Sequence, residues 1–222
     1  MPHEFGTPNQ KAMTVDVLFI DPAKPEEELI RRAAGFALQG ATLVFPTDTV
    51  YGVGVAVLPG GSPKDIYTIK ERDPHKAVPW LVAGTEDLET YGKDVPDYAR
   101  ELASRFWPGA LTLVIKASKS VPPAFKADDG SIALRAPKSP IALALIRELG
   151  LPIATSSANA QGKKPAVSLQ DLDHELFLRI GCAIDGGACP TKTASTIVSC
   201  LGERPYIVRE GALTAEDLHL LH

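Results

Sequence analysis

Ile153-Ala154-Thr155-Ser156-Ser157-Ala158-Asn159-Ala160-Gln161-Gly162-Lys163-Lys164-Pro165 is the stretch on which the reading of this chain turns. Its apolar start reads as a buried strand over 152–155. That strand runs directly into hydroxyls, an amide, a glycine and two lysines. In open sheets flanked by helices, ligands bind at the carboxyl ends of strands. Ser, Asn and Gly are also ordinary loop residues, so a plain polar loop is the competing reading. The run of hydroxyls straight after an apolar strand favours a site.

Working outward, apolar runs bounded by turn residues predict strands at 15–20, 42–45, 50–57, 80–83, 111–115, 132–135, 183–185, 196–199 and 206–209. Apolar residues at helical spacing, with caps and terminal glycines, predict helices at 25–39, 62–72, 97–106 and 139–150. Ser168 with Asp171, and Thr214 with Asp217, have the spacing of capping boxes and predict two later helices. Several strands follow one another with no helix between them. The expected class is therefore α+β, a three-layer α/β arrangement whose twisted mixed sheet is flanked by helices. Residues 1–13 are polar and aperiodic and read as a flexible tail, leaving 14–222 as a single domain.

The composition excludes several classes. The 222 residues are 45% hydrophobic and 23% charged, which suits a globular domain with a sizeable core. No apolar run approaches the length of a membrane span, and the first residues lack the basic and apolar regions of a secretory signal. A cytoplasmic location is the corresponding expectation. The net charge of −4 does not describe a chain built to coat a nucleic acid. Cys182, Cys189 and Cys200 make no CxxC pair and read as buried small hydrophobes; the histidines make no HExxH. There is no P-loop, Gly52-Val53-Gly54 is only a fragment of a dinucleotide fingerprint, and no nucleophile elbow is present.

Three further segments gather polar groups where strands or helices end. Pro46-Thr47-Asp48-Thr49-Val50-Tyr51-Gly52-Val53-Gly54 places hydroxyls, a carboxylate and a phenol between two strands, with glycines suited to sharp turning and close approach. It is either a hairpin or part of a site. Lys70-Glu71-Arg72-Asp73-Pro74-His75-Lys76 puts cations at a helix end, where they favour the dipole and also suit a polyphosphate. Thr191-Lys192-Thr193-Ala194-Ser195-Thr196 enters a strand, and Arg209 leaves the next one. Together they describe a donor-rich site for anions, with no obvious nucleophile–base pair and no metal cage.

In this order, the segments resemble the YrdC-type L-threonylcarbamoyladenylate synthase family. The matching residues are PTDTVYGVG at 46–54, KER at 70–72 with Lys76, RFWPGALTLVIK at 105–116, IALRAP at 132–137, SSAN at 156–159, STIV at 195–198 and VREG at 208–211. The resemblance spans about residues 15–213. It implies a YrdC-like sheet with a concave basic face. It further implies an enzyme, a nucleotidyltransferase, that makes threonylcarbamoyl-AMP and pyrophosphate from L-threonine, bicarbonate and ATP, with Mg²⁺ carried by ATP. A downstream tRNA threonylcarbamoyl transferase would be the partner.

By the same resemblance, Lys70, Arg72, Ser157 and Asn159 are the catalytic set. Lys70, Arg72, Lys76, Ser157, Asn159, Ser195 and Arg209 would bind the nucleotide. Thr47, Tyr51, Thr112, Arg135 and Ser195 would bind threonine. Two departures stand out. Asp73 occupies the place of the proline that usually follows the Lys-x-Arg arginine, and the chain ends near 222, which reads as the short form without an added C-terminal domain. A paralogous branch, the YciO type, supplies the alternative: a module binding double-stranded RNA or a nucleotide without synthase activity.

Overall fold

The computed structural model describes residues 15–71, 78–160 and 162–220. Strands are β1 (Asp16–Phe19), β2 (Leu43–Phe45), β3 (Gly52–Ala56), β4 (Trp80–Leu81), β5 (Leu111–Lys116), β6 (Ser131–Arg135), β7 (Ile153–Ser157), β8 (Cys182–Asp185), β9 (Thr196–Ser199) and β10 (Tyr206–Arg209). Helices are α1 (Glu27–Leu38), α2 (Lys64–Lys70), α3 (Glu86–Tyr91), α4 (Asp97–Phe106), α5 (Pro140–Leu149) and α6 (His174–Phe177). The strands form one ten-stranded mixed sheet in the order β1-β8-β2-β3-β7-β4-β6-β5-β9-β10. The twisted, mixed α+β architecture is the one expected from the sequence.

Local chemistry explains the best-defined helix. Ser139 is the N-cap of α5, its Oγ accepting from the Ala142 N–H at 3.3 Å. Pro140 occupies the first turn, where its missing N–H is harmless. Gly150 closes the helix at φ 62°, a conformation that suits glycine. Ile141, Ala142, Leu145, Ile146 and Leu149 form its buried stripe. That stripe meets Ile30, Ala33, Ala34 and Ala37 of α1, and both helices lie in one core cluster with Leu43, Phe45 and Ile153 of the sheet.

Alternation along the strands sorts the two faces of the sheet. Leu111, Leu113 and Ile115 of β5 pack in a second core cluster with Leu88 of α3 and Ala99, Leu102 and Ala103 of α4. Each fully buried Leu or Ile there contributes roughly 1.5–3 kcal/mol relative to exposure. Thr112 and Val114, between them, point to the opposite face and line a cavity. Leu81 both belongs to the α1–α5 cluster and lines that cavity. The helices α1 and α5 therefore cover one half of this face, and the cavity occupies the half they leave.

The structure corrects four local expectations. Pro63 is itself the N-cap of α2, and Ser62 only accepts a long 3.4 Å bond from the Lys64 N–H. α2 ends at Lys70 because Glu71 turns left-handed at φ 52°. The Ser168–Asp171 capping box is present but opens a single 3₁₀ turn, Leu169–Asp171, because Leu172 is extended; Asp173 then caps α6. Thr214 and Asp217 hydrogen-bond as a capping box, yet residues 215–219 form turns, and His219 at φ 53° ends them.

Candidate functional site

The cavity, about 550 Å³, is built from strand ends and the loops that leave them. Lys70, Ser157 and Asn159 line it together with Thr47, Tyr51, Thr112, Arg135, Ser195 and Arg209. The structure thus brings together most of the residues singled out by sequence. Arg72 and Lys76, along with Asp73 and His75, lie outside the described residues.

Two glycines of β3 let the strand that carries Ser157 come close. Both sit in extended strand rather than in a turn, so their role is space, not sharp bending. A Cβ on Gly54 would lie 2.8 Å from Ala154 O, from Ile153 Cγ2 and from Thr155 Oγ1. A Cβ on Gly52 would lie 2.6 Å from Thr155 Cγ2. Thr155 itself lines the cavity, one strand period before Ser157.

At the end of β7 the chain folds into a turn held by its own side chains. Ser157 Oγ donates to Asn159 Oδ1 at 2.5 Å, and Asn159 Nδ2 donates to the carbonyls of Ala160 at 3.0 Å and Lys163 at 2.6 Å. Lys70, only 4% exposed, reaches this turn from the end of α2. Its ammonium donates to the Ser157 carbonyl, to Asn159 O at 2.7 Å and to Asn159 Oδ1 at 3.1 Å. An ammonium carries three donors. Lys70 therefore shapes the turn as well as giving the cavity a positive charge.

Arg135 enters from the last position of β6. Its Nε donates to the Gly109 carbonyl at 2.9 Å, Nη1 to Thr49 Oγ1 at 2.9 Å and Nη2 to Asp48 Oδ1 at 2.5 Å. Thr49 in turn bonds Thr47 Oγ1 at 2.9 Å, and Thr47 Oγ1 donates to the Val50 carbonyl at 2.7 Å. Thr47 Oγ1 also accepts from the N–H groups of Thr49 and Val50, at 3.1 and 3.3 Å. The 47–50 segment is thus a tight turn threaded by one hydrogen-bond chain. Burial pulls the Arg135 guanidinium below its ordinary value, Asp48 pushes it back up, and Arg209 adds repulsion.

Across the cavity, Ser195 Oγ and Thr112 Oγ1 are 2.8 Å apart, and Arg209 Nη2 donates to the Ser195 carbonyl at 2.7 Å. Tyr51 lines the cavity, but its hydroxyl donates to Gly187 O at 2.8 Å, outside the lining. Burial pushes this phenol well above its ordinary value, so it stays neutral. Thr49 and Thr155 line the cavity from within the quoted segments without an assigned role, and Ser131 lines it from outside every quoted segment. Ser131 stands two and four residues from Ala133 and Arg135 on β6, so strand alternation was the signal that could have found it.

No His, Cys, Asp or Glu is among the cavity-lining residues described. Among the described residues no group of three or more such side chains is placed to hold a metal ion. No described helix is long and apolar enough to cross a membrane. Lys70, Arg135 and Arg209 each donate to a backbone carbonyl, and Arg135 also donates to the Thr49 hydroxyl and to the Asp48 carboxylate behind the lining. A cavity with cations and hydroxyls at strand ends has the donor chemistry that suits an anion.

The particular lineage follows from comparison with known proteins. A family model for Sua5, yciO and yrdC, described as "Telomere recombination", matches residues 36–211. The chain belongs to this Sua5/YciO/YrdC family. It is 38% identical over 193 residues to threonylcarbamoyl-AMP synthase of Pyrococcus abyssi, covering 87% of this chain and 57% of that protein. It is 36% identical over 209 residues to threonylcarbamoyl-AMP synthase of Bacillus subtilis, covering 94% and 60%. The chain therefore spans about 60% of the length of these two relatives. The crystal structure of P. abyssi Sua5 complexed with L-threonine superposes with a TM-score of 0.87 at 36% identity, over 92% of this chain and 60% of that one. The crystal structure of E. coli YciO superposes at 0.84 with 25% identity, over 92% and 100%.

Proposed function

We propose that the chain is an L-threonylcarbamoyladenylate synthase, a nucleotidyltransferase acting on L-threonine, bicarbonate and ATP. The observation that carries this reading is the cavity itself: the buried cations Lys70 and Arg135, the exposed Arg209 and paired hydroxyls, with no His, Cys, Asp or Glu among the described lining residues. The threonine amine forms a bond to the bicarbonate carbon, a carbon–oxygen bond breaks and water leaves, giving a carbamate. A carbamate oxygen then attacks the α-phosphorus of ATP, and pyrophosphate leaves. Such a reaction asks the protein for alignment and charge stabilisation more than for covalent help.

Within this reading, Lys70, Arg72, Lys76 and Arg209 meet the phosphates, and Ser157 and Asn159 fix the nucleotide. Thr47, Tyr51, Thr112, Arg135 and Ser195 frame threonine. Lys70 acts in part through the Ser157–Asn159 turn that it holds, and Tyr51 acts through its ring and backbone because its hydroxyl is engaged elsewhere. Mg²⁺ arrives as part of the ATP substrate. The product then passes to a tRNA threonylcarbamoyl transferase in the cytoplasm.

The test is pyrophosphate release from ATP, which should require threonine and bicarbonate together. Release without threonine, or none with all three, refutes the reading. The YciO-type alternative predicts RNA binding that weakens steeply with salt and no such release. Two relatives named for the synthase at 36–38% identity, against 25% for YciO, favour the synthase.

A further inference from the structure

Among the described residues Asp48 is the one carboxylate that the fold buries, at 7% exposure, and it does not line the cavity. Its position ties three loops together. Oδ1 accepts from Arg135 Nη2 at 2.5 Å and from the Lys138 N–H at 3.1 Å, and its carbonyl accepts from the Thr191 N–H at 3.1 Å. A buried carboxylate needs such partners, because an uncompensated charge in the interior is strongly unfavourable.

The arrangement settles which donors of Arg135 remain. A guanidinium carries five N–H groups in a planar fork. Gly109, Thr49 and Asp48 take one each from Nε, Nη1 and Nη2. One N–H on each terminal nitrogen has no partner among the described residues. A guanidinium can offer one N–H from each terminal nitrogen to the two oxygens of a carboxylate. A second cation, Arg209, repels this guanidinium within the same cavity. The negative charge of Asp48 offsets that repulsion and fixes the rotation of the fork.

We propose that Asp48 is the positioning residue for substrate-carboxylate recognition, holding Arg135 so that its two remaining N–H groups receive the amino-acid carboxylate. The proposal rests on the synthase reading above. It makes Asp48 act through Arg135, without touching threonine, the nucleotide or the reacting atoms.

The experiment measures threonine affinity by calorimetry for the wild-type chain, Asp48→Asn, Arg135→Gln and the double variant. The companion ligand is 1-aminopropan-2-ol, which is threonine without its carboxylate. Asn keeps the acceptor oxygen and removes the charge. Asp48→Asn should weaken threonine about 10- to 100-fold, the range of one strong charge-assisted interaction. It should leave the amino alcohol and the KM for ATP within about twofold. In the Arg135→Gln background the same change should matter by less than about twofold. Asp48→Glu, with the charge restored but displaced, should recover part of the loss.

A parallel rise in KM for ATP, equal weakening of the amino alcohol, or an undiminished effect beside Arg135→Gln would each overturn the proposal. If Asp48→Asn fails to fold, Arg135→Gln and the double variant still decide it, because further weakening on adding Asp48→Asn there is the refuting result. A wild-type chain that binds no threonine overturns the synthase reading and this proposal with it. A wild-type chain and an Asp48→Asn variant that bind equally well overturn this proposal alone.

Discussion

Gly54→Ala concentrates the logic of the site in a single methyl group. The added Cβ would sit 2.8 Å from a backbone carbonyl and from two side-chain atoms of β7, well inside ordinary contact distance. The carbonyl belongs to Ala154, whose strand is paired on both sides, so it has little room to move. Overpacking of this kind costs about 1–3 kcal/mol. For a chain of this length that corresponds to a melting temperature lower by roughly 3–10 °C. Because Thr155 and Ser157 ride on β7, the displacement also reaches the cavity. A shift of about 1 Å in a positioning group can lower turnover by about 100-fold. The assay is thermal unfolding, with pyrophosphate release measured well below the transition. Gly35→Ala is the control, since nothing lies within 4 Å of its Cβ and it sits inside α1. It should stabilise by about 0.5–1 kcal/mol. Gly54→Ala melting at or above the wild type, or Gly35→Ala losing as much as Gly54→Ala, would refute the reasoning.

Lys70→Met should destabilise by about 1–3 kcal/mol by orphaning the acceptors of the Ser157–Asn159 turn, and Lys70→Arg should not restore activity, because a planar fork cannot replace three tetrahedral donors; full activity of Lys70→Arg in the pyrophosphate assay counts against this. Burial pushes the thiols of Cys182 and Cys200 up to about 12 and that of Cys189 up to about 11, so all three should resist a thiol reagent at neutral pH until the chain unfolds. Rapid labelling of the native protein in an absorbance titration is the contrary outcome. Ser131, through its hydroxyl and its N–H at 2.9 Å, holds the Asp129 carboxyl below its ordinary value. A depressed carboxylate stabilises above its unfolded pKa and loses that contribution as pH falls through the folded one. The stability gap between wild type and Asp129→Ala should therefore be present at neutral pH and close in acid, and a gap that widens in acid under denaturant titration would contradict it.

The sequence made some parts of this structure legible and hid others for physical reasons. α4 was expected at 97–106 and forms there, with Pro96 before it and Pro108-Gly109 after it acting as local punctuation. α5 was similarly readable from Ser139, Pro140 and Gly150. α3 was not, because Glu86–Tyr91 is short and polar and buries only Leu88. The two capping boxes were real as hydrogen bonds but did not propagate helices, since backbone conformation at Leu172 and His219 was set beyond the reach of the motif. In the cavity, residue types at strand ends pointed to donors for anions. Pairings did not show: that Arg135 would meet Asp48 across 87 positions, or that Lys70 would bend toward Asn159 across 89, depends on the sheet order β3-β7-β4-β6.

The half-covered face of the sheet has a consequence for motion. Helices α1 and α5 shield one half, while β9 and β10 on the other side end in an edge strand whose Tyr206 and Val208 are 55% exposed. Amide exchange should be graded along the sheet, slowest around β2, β3 and β7 and fastest toward β10. Occupancy of the cavity would then register mainly as protection at the loose end, because Ser195 and Arg209 stand there and Ser157 stands at the firm one. A bound molecule that spans the two would act as a clasp between a rigid anvil and a yielding edge.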